Sequence, residues 1–249
     1  MKGLSVSVIT MVCLLTSSVL AKSPAPDKYY DAATKVYVTQ GADVTTIQDA
    51  KKMAQEWLSS TIKTLNAAIE KYGMFREPSA SQQIVYAYWK AESLEDLQFL
   101  LKQYKAIRKN MKGGVTYTID KTLEAHGKTG GFAKKQSTLG EDFFGNATVE
   151  DRAGTLIHEA AHRQAMPGVT GFRTKLPEAS CRDVFSHADP NASQDAWEAL
   201  TFSSVKKVAD QYAAFAAGVN NKDYHGLPGC MPKPLRQHLR GYLQGYLPR

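Results

Sequence analysis

Residues 148–162 read TVEDRAGTLIHEAAH, and this stretch decides the centre of the fold. Thr148 followed three residues later by Asp151 has the form of a capping box, which predicts the start of a helix. Apolar residues then recur at helical spacing as far as Ala161. We therefore expect a buried helix that ends before Pro167.

This helix carries an HExxH motif at His158, Glu159 and His162. Histidines four residues apart lie one turn above the other on one helix face, so both imidazoles can bind one Zn²⁺ ion. The glutamate is placed to take a proton from water, whose pKa zinc lowers towards about 7. The motif predicts a zinc cofactor and hydrolysis of protein or peptide substrates. The alternative is that the two histidines bind no metal and form hydrogen bonds only with solvent or with groups in the core.

Two long helices are predicted before this stretch. The first runs over 43–72, with a capping pattern at Thr46 and Asp49 and apolar residues at near-helical spacing. The second runs over 93–112 and stops at Gly113. Both apolar stripes are most simply explained as core.

The segment between these helices and the motif is predicted to form a small sheet. Residues 115–119 have the alternating pattern of a strand and consist of β-branched and aromatic residues. A candidate partner strand is formed by 137–139 together with Phe143 and Phe144, across a glycine-rich connection. A last long helix is expected over about 193–217. The sequence thus predicts an α+β fold that is mostly helical with a small β-sheet.

The first 21 residues have the pattern of a secretory signal peptide. Lys2 gives a positive start, a mostly apolar run follows, and Ala21 stands at a suitable cleavage position. A membrane anchor is the weaker alternative, because serines interrupt the run and it is short. We expect a secreted protein whose residues 22–249 form one domain, with no membrane contact after the signal peptide 1–21 is cleaved.

Cleavage of the signal removes Cys13 and leaves Cys181 and Cys230. An even cysteine count in an exported chain usually means a disulfide, so we expect these two to pair. Two unrelated buried thiols are the alternative.

The charge of the chain gives no support to nucleic-acid binding. Of the 249 residues 22% are charged, and the net charge of +7 is spread without a block of five like charges. We expect no nucleic-acid partner and a monomeric protein.

Three segments resemble one metalloprotease family. The residues 154–162, 181–185 and 194–202 are similar in type and spacing to those of the aspzincins, the deuterolysin and peptidyl-Lys metalloendopeptidase group. That family has an Asn-Ala-Asp-x-Tyr-x-x-Phe segment where this chain has 194–202, with Trp197 in place of the tyrosine. The resemblance spans about 137–202.

The resemblance implies a zincin-like metalloendopeptidase domain over 22–249. It implies that His158 and His162 are zinc ligands and that Glu159 is the catalytic base. It also implies that Asp195 and Glu198 line a pocket for the ammonium group of a lysine at P1′. Three residues apart on a helix, these two carboxylates share a face. The alternative is that they only favour the start of the last helix through its dipole.

The chain departs from the family at the third zinc ligand. The family has an aspartate and a tyrosine in a loop after the second histidine, and residues 168–175 contain neither. A catalytic zinc site normally has three protein ligands, so we expect a substitute. Glu178 is the first candidate because it is nearest in the chain, and Asp183, Asp195 and His187 are the others. The rival hypothesis is a non-catalytic secreted binding protein or effector on a degenerate metalloprotease scaffold.

Overall fold

The computed structural model of the chain describes residues 24–74, 78–124, 127–129, 136–162, 200–220 and 222. These residues form a mainly helical structure with one small mixed sheet, so the predicted α+β class is confirmed. No helix in the described ranges is both long and apolar enough to cross a bilayer. The helices are α1 (Ala42–Glu70), α2 (Ala80–Trp89), α3 (Leu94–Asn110), α4 (Glu141–Phe144), α5 (Val149–His162), α6 (Phe202–Val205) and α7 (Ala209–Val219).

The sheet has five short strands in the order β2-β1-β3-β5-β4. The strands are β1 (Lys28–Asp31), β2 (Val36–Val38), β3 (Thr116–Ile119), β4 (Gly127–Thr129) and β5 (Gln136–Leu139). β3 pairs in parallel with β1 and β5, whereas β2 and β4 add antiparallel strands at the two ends. The predicted sheet and its partner strand at 137–139 are confirmed. Phe143 and Phe144 do not belong to that strand, because Gly140 ends it and α4 follows.

The long helix α1 is confirmed close to its predicted bounds, but the predicted capping pattern at Thr46 and Asp49 is wrong. The helix begins at Ala42, after Gly41, whose φ of 131° favours glycine. The hydroxyl groups of Thr45 and Thr46 donate to backbone carbonyls four residues earlier, so they lie inside the helix and do not cap it. One face of α1 is buried from Val44 to Ala68 and packs against α2, α3, α5 and α7.

The second predicted helix is α3, and it has the capping box that its sequence indicates. The side chain of Ser93 accepts from the backbone of Asp96, whose carboxylate accepts from the backbone of Ser93. The helix α2 was not predicted. Its Ser79 and Gln82 form a second capping box, and its last turn buries Tyr88 and Trp89 in the core.

The predicted continuous helix over 193–217 is wrong in its described part. Leu200 and Thr201 precede a one-turn helix, α6, and the chain turns again at Lys206 before α7 begins. The hydroxyl of Tyr212 donates to the carbonyl of Lys206 at 2.9 Å, which satisfies a backbone group at the break. The Lys206 ammonium group lies 5.1 Å from the Phe99 and Phe202 ring centres, which also favours the turn.

Candidate metal centre

The helix α5 starts where its sequence predicts. The hydroxyl of Thr148 accepts from the backbone N–H of Asp151 at 3.1 Å, and the Asp151 carboxylate accepts from the backbone N–H of Thr148 at the same distance. Arg152 then donates to the carbonyls of Phe143 and Gly145 at 2.6 and 3.3 Å. The two Arg152 bonds join the first turn of α5 to the end of α4.

His158 and His162 bring one nitrogen each to the same point. Their Nε2 atoms lie 2.8 Å apart, with ring centres at 4.5 Å and ring planes at 77°. Two imidazoles on a tetrahedral zinc ion, each at about 2.0–2.1 Å, would have their nitrogens about 3.3 Å apart. A small rotation of the side chains is enough to reach that separation. The pair therefore fits a zinc ion as two of its ligands.

Glu159 lies between the two histidines in the chain and is 3% exposed. Its carboxylate and the methyl group of Thr155 face Gly127 on the end strand β4. A methyl group on Gly127 would come within 3.1 Å of the Glu159 Oε1 atom and 3.2 Å of the Thr155 Cγ2 atom. The absence of a side chain at this position is what allows the strand and the carboxylate to lie so close.

The other ring nitrogen of His158 faces a carboxylate. Its Nδ1 atom lies 2.6 Å from Oδ1 of Asp210, in the first turn of α7. The Asp210 side chain is 9% exposed and the His158 side chain 18%. The two atoms are in close polar contact, although the direction from nitrogen to oxygen departs from that of a straight hydrogen bond. Histidine ligands of metals commonly have a carboxylate at their second nitrogen, so this contact also fits a metal centre.

The helix α7 that carries Asp210 is buried along its whole length. The hydroxyl of Tyr104 donates to the carbonyl of Tyr212 at 3.0 Å, and the side chain of Gln211 donates to the carbonyl of Tyr88. Burial raises the pKa of both the Tyr104 and the Tyr212 phenol well above 10, so both stay neutral at physiological pH. The residues that follow Asp210 are thus fixed by uncharged, buried hydrogen bonds.

Several predicted site residues lie outside the described residues, so their predictions stay predictions. They are the signal peptide 1–21, the candidate third ligands Glu178, Asp183 and His187, the pocket residues Asp195 and Glu198, and the cysteines Cys181 and Cys230. Within the described ranges, no group of three acidic, histidine or cysteine side chains converges as a metal site. The described part of the centre therefore consists of two candidate ligands, the candidate base and the carboxylate behind one ligand.

Asp210 and Gly127 were not predicted as site residues. Asp210 had a signal, because it is the one charged residue in the otherwise uncharged segment ADQYAAFAAGV of 209–219. A carboxylate in a helix that is apolar on every side needs a buried partner. Gly127 belongs to the glycine-rich connection before 137–139, and no local pattern marks it, since its contact with Glu159 joins elements 32 positions apart in the sequence.

Comparisons with known proteins find a similarity in structure but none in sequence. No protein-family model matches the sequence, and no curated protein matches it significantly. Among solved structures, the chain is similar to a zinc peptidase from Grifola frondosa, with 14% identity over 74% of this chain and 98% of that one, at a TM-score of 0.49. The case for any function of this chain therefore depends on its own residues.

Proposed function

We propose that the chain is a zinc-dependent endopeptidase that is secreted and cleaves peptide bonds. The observation that carries the proposal is the convergence of the His158 and His162 Nε2 atoms at 2.8 Å beside the buried carboxylate of Glu159. When bound there, a zinc ion supplies a Lewis acid that polarises a peptide carbonyl and makes water a better nucleophile at neutral pH. His158 and His162 would hold it, with a third ligand from the residues after α5.

Glu159 is the proposed general base. It takes a proton from the attacking water at its carboxylate and then gives that proton to the nitrogen of the leaving amine. Burial against Gly127 and Thr155 restricts the positions that this carboxylate can adopt. General bases of this kind typically contribute 10²–10⁴-fold to the rate, so their removal is a sensitive test.

The strand β4 offers a way to orient a peptide beside Glu159. It lies at the end of the sheet in the described part of the chain and pairs there with β5. An extended peptide can add to the end of a sheet through backbone hydrogen bonds without regard to most of its side chains. We expect the substrate to bind along β4, which places one of its peptide bonds near the Glu159 carboxylate.

Three finer proposals rest on the sequence. Membership of the aspzincin group is supported by the motif pattern over 137–202. A preference for lysine at P1′ is supported by the acidic pair Asp195 and Glu198, and Glu178 is the first candidate for the third ligand. Cleavage on the amino side of lysine in a peptide library would support the pocket, and replacement of Asp195 with Asn should then reduce that preference.

The deciding test is a comparison of the wild-type chain with Glu159→Gln. Wild type should bind one zinc ion per chain and should cleave a lysine-rich unfolded protein in a reaction that a chelator stops. Glu159→Gln should keep zinc and lose at least about 100-fold in kcat. Glu150→Gln is the matched control, because Glu150 lies in the first turn of the same helix and pairs with Lys222 at 3.3 Å.

Each outcome separates the candidate functions. Zinc binding and cleavage that depend on Glu159 but not on Glu150 support the endopeptidase. Zinc binding without cleavage would favour the non-catalytic binding protein. A chain that binds no zinc when the ion is in excess, or a Glu159→Gln variant with full activity, would overturn the proposal.

A further inference from the structure

We propose that Asp210 is a positioning residue that fixes which nitrogen of His158 carries the proton. By holding a proton on Nδ1, the carboxylate leaves Nε2 unprotonated and directed at the point that His162 also faces. This inference rests on the proposed zinc centre, and it assigns a role to a residue that is far from the motif in the sequence.

The contact between Asp210 and His158 bears on where the imidazole carries its proton. Neutral imidazole carries one proton, on either of its two nitrogens, and the hydrogen-bonding partners decide which. A carboxylate accepts hydrogen bonds and cannot donate one when it is ionised. Since Oδ1 of Asp210 lies 2.6 Å from Nδ1 of His158, the arrangement favours a proton on that nitrogen.

The Asp210 carboxylate lies in a buried environment. Asp210 is 6% exposed, and the helix around it is buried on every side. Removing a carboxylate from water is costly unless it is paired. The buried Asp210 carboxylate therefore needs a group that donates a hydrogen bond to it. The His158 Nδ1 atom, 2.6 Å from Oδ1 of Asp210, is in position to be that donor.

Hydrogen bonds fix the residues that follow Asp210 in α7. Gln211 and Tyr212 follow Asp210 directly, and both are tied to other helices through the Tyr88 carbonyl and the Tyr104 hydroxyl. Tyr212 also bonds back to the carbonyl of Lys206. These bonds fix the rotation and the height of the first turn of α7. Positioning groups act well when their own places are fixed in this way.

A proton on Nδ1 of His158 determines the role of the second ring nitrogen, Nε2. The two Nε2 atoms are 2.8 Å apart, so one ring donates and the other accepts when no metal lies between them. With its proton on Nδ1, His158 is the acceptor and His162 the donor. His158 then already has the form in which imidazole binds a metal, and only the proton of His162 must move.

The test compares wild type with Asp210→Asn in two measurements. Asparagine has the same shape, but its amide group can donate to Nδ1 and so favour the other form of the ring. Nitrogen-15 correlation spectra of the imidazoles in the zinc-free chain should show His158 protonated at Nδ1 in wild type and at Nε2 in Asp210→Asn. The Kd for zinc, measured by competition with a chromogenic chelator, should rise 10- to 100-fold in the variant.

Asp151→Asn is the matched control, because Asp151 is equally buried and caps the helix that carries both histidines. It should lower the thermal stability of the chain and leave both the His158 spectrum and the Kd for zinc unchanged. A wild-type chain that takes up no zinc would remove the proposed function and this inference with it. If wild type binds zinc but Asp210→Asn matches it in Kd and in the His158 spectrum, the inference fails while the proposed function stands.

Discussion

Asp27 and Asp210 are two largely buried carboxylates, each paired with a basic side chain on a helix, and they differ in what that side chain contacts. Both side chains are 9% exposed. Asp27 pairs with Lys51 of α1 through one oxygen and accepts from the backbone N–H of Val115 at 3.1 Å through the other. Asp210 directs one oxygen at the ring of His158.

The difference lies in what stands behind each base. The Lys51 side chain ends at its ammonium group, so the Asp27 pair can only join the residues before β1, the helix α1 and the residue before β3. The imidazole of His158 has a second nitrogen, which faces His162 at 2.8 Å. A buried carboxylate can therefore stabilise the fold or orient a second group, and its partner side chain decides which.

The largest effect is expected when Asp27 is replaced with alanine. The change leaves Lys51 charged and 12% exposed without its carboxylate and also removes the acceptor of the Val115 N–H. Breaking one side of a buried pair typically costs about 3–5 kcal/mol in the free energy of unfolding. Urea denaturation should show a loss of this order, while the Kd for zinc of the folded chain should stay within twofold of wild type.

An exposed ion pair gives the control for this experiment. Asp43 and Lys121 lie 3.0 Å apart, but their side chains are 35% and 57% exposed. Asp43→Ala should change the free energy of unfolding by no more than about 1 kcal/mol, because water screens such pairs. A loss of zinc affinity in Asp27→Ala as large as that in Asp210→Asn would erase the distinction between the two buried pairs.

The sequence was sufficient for the parts of this molecule whose signals are local. The apolar periods of α1, α3 and α5 and the capping boxes at Ser93 and Thr148 predicted three helices close to their observed bounds. The break at Lys206 was missed, because it depends on rings and a hydroxyl that reach the turn from other positions. The strands β1, β2 and β4 were missed as well, since β1 and β4 lack the alternation that marks β3 and β2 has only three residues.

The same division applies to the site. The spacing of His158 and His162 is a local property of one helix, so the sequence alone places their nitrogens on one face. The contacts of Asp210 with His158 and of Gly127 with Glu159 arise only when α7 and β4 pack against α5. No spacing rule connects such residues, although a lone buried charge in an apolar helix is a reason to look for its partner.

Glu159 differs from both aspartates, because a glycine lies against its carboxylate. In Gly127→Ala, the new methyl group would stand 3.1 Å from Oε1 of Glu159, which is closer than most carbon contacts, so the carboxylate must shift by a few tenths of an ångström. Small displacements of a catalytic group reduce the rate steeply. We expect kcat to fall about tenfold, with the Kd for zinc unchanged, in assays of peptide cleavage.

Gly145→Ala is the matched control for that variant. Its methyl group would stand 3.2 Å from the carbonyl oxygen of Glu141, so the crowding is similar but lies at the end of α4. This variant should lose some thermal stability and keep its kcat. Equal losses of kcat in the two variants would show that crowding acts through the fold as a whole and not through the Glu159 carboxylate.

The smallest effect concerns the helix α7 that carries Asp210, through the hydrogen bond that the phenol of Tyr104 donates to it. In Tyr104→Phe, loss of the hydrogen bond to the Tyr212 carbonyl should cost about 1 kcal/mol in the free energy of unfolding at pH 8. Burial raises the pKa of Tyr104 well above 10 in the folded chain, so above pH 10 the unfolded chain has lost a proton that the folded chain still holds. The stability of wild type then falls with rising pH by up to about 1.4 kcal/mol per unit from this group, and the phenylalanine variant lacks that loss. The two unfolding free energies should therefore converge near pH 11, whereas a constant gap from pH 8 to 11 would mean that the Tyr104 phenol ionises as readily in the fold as outside it.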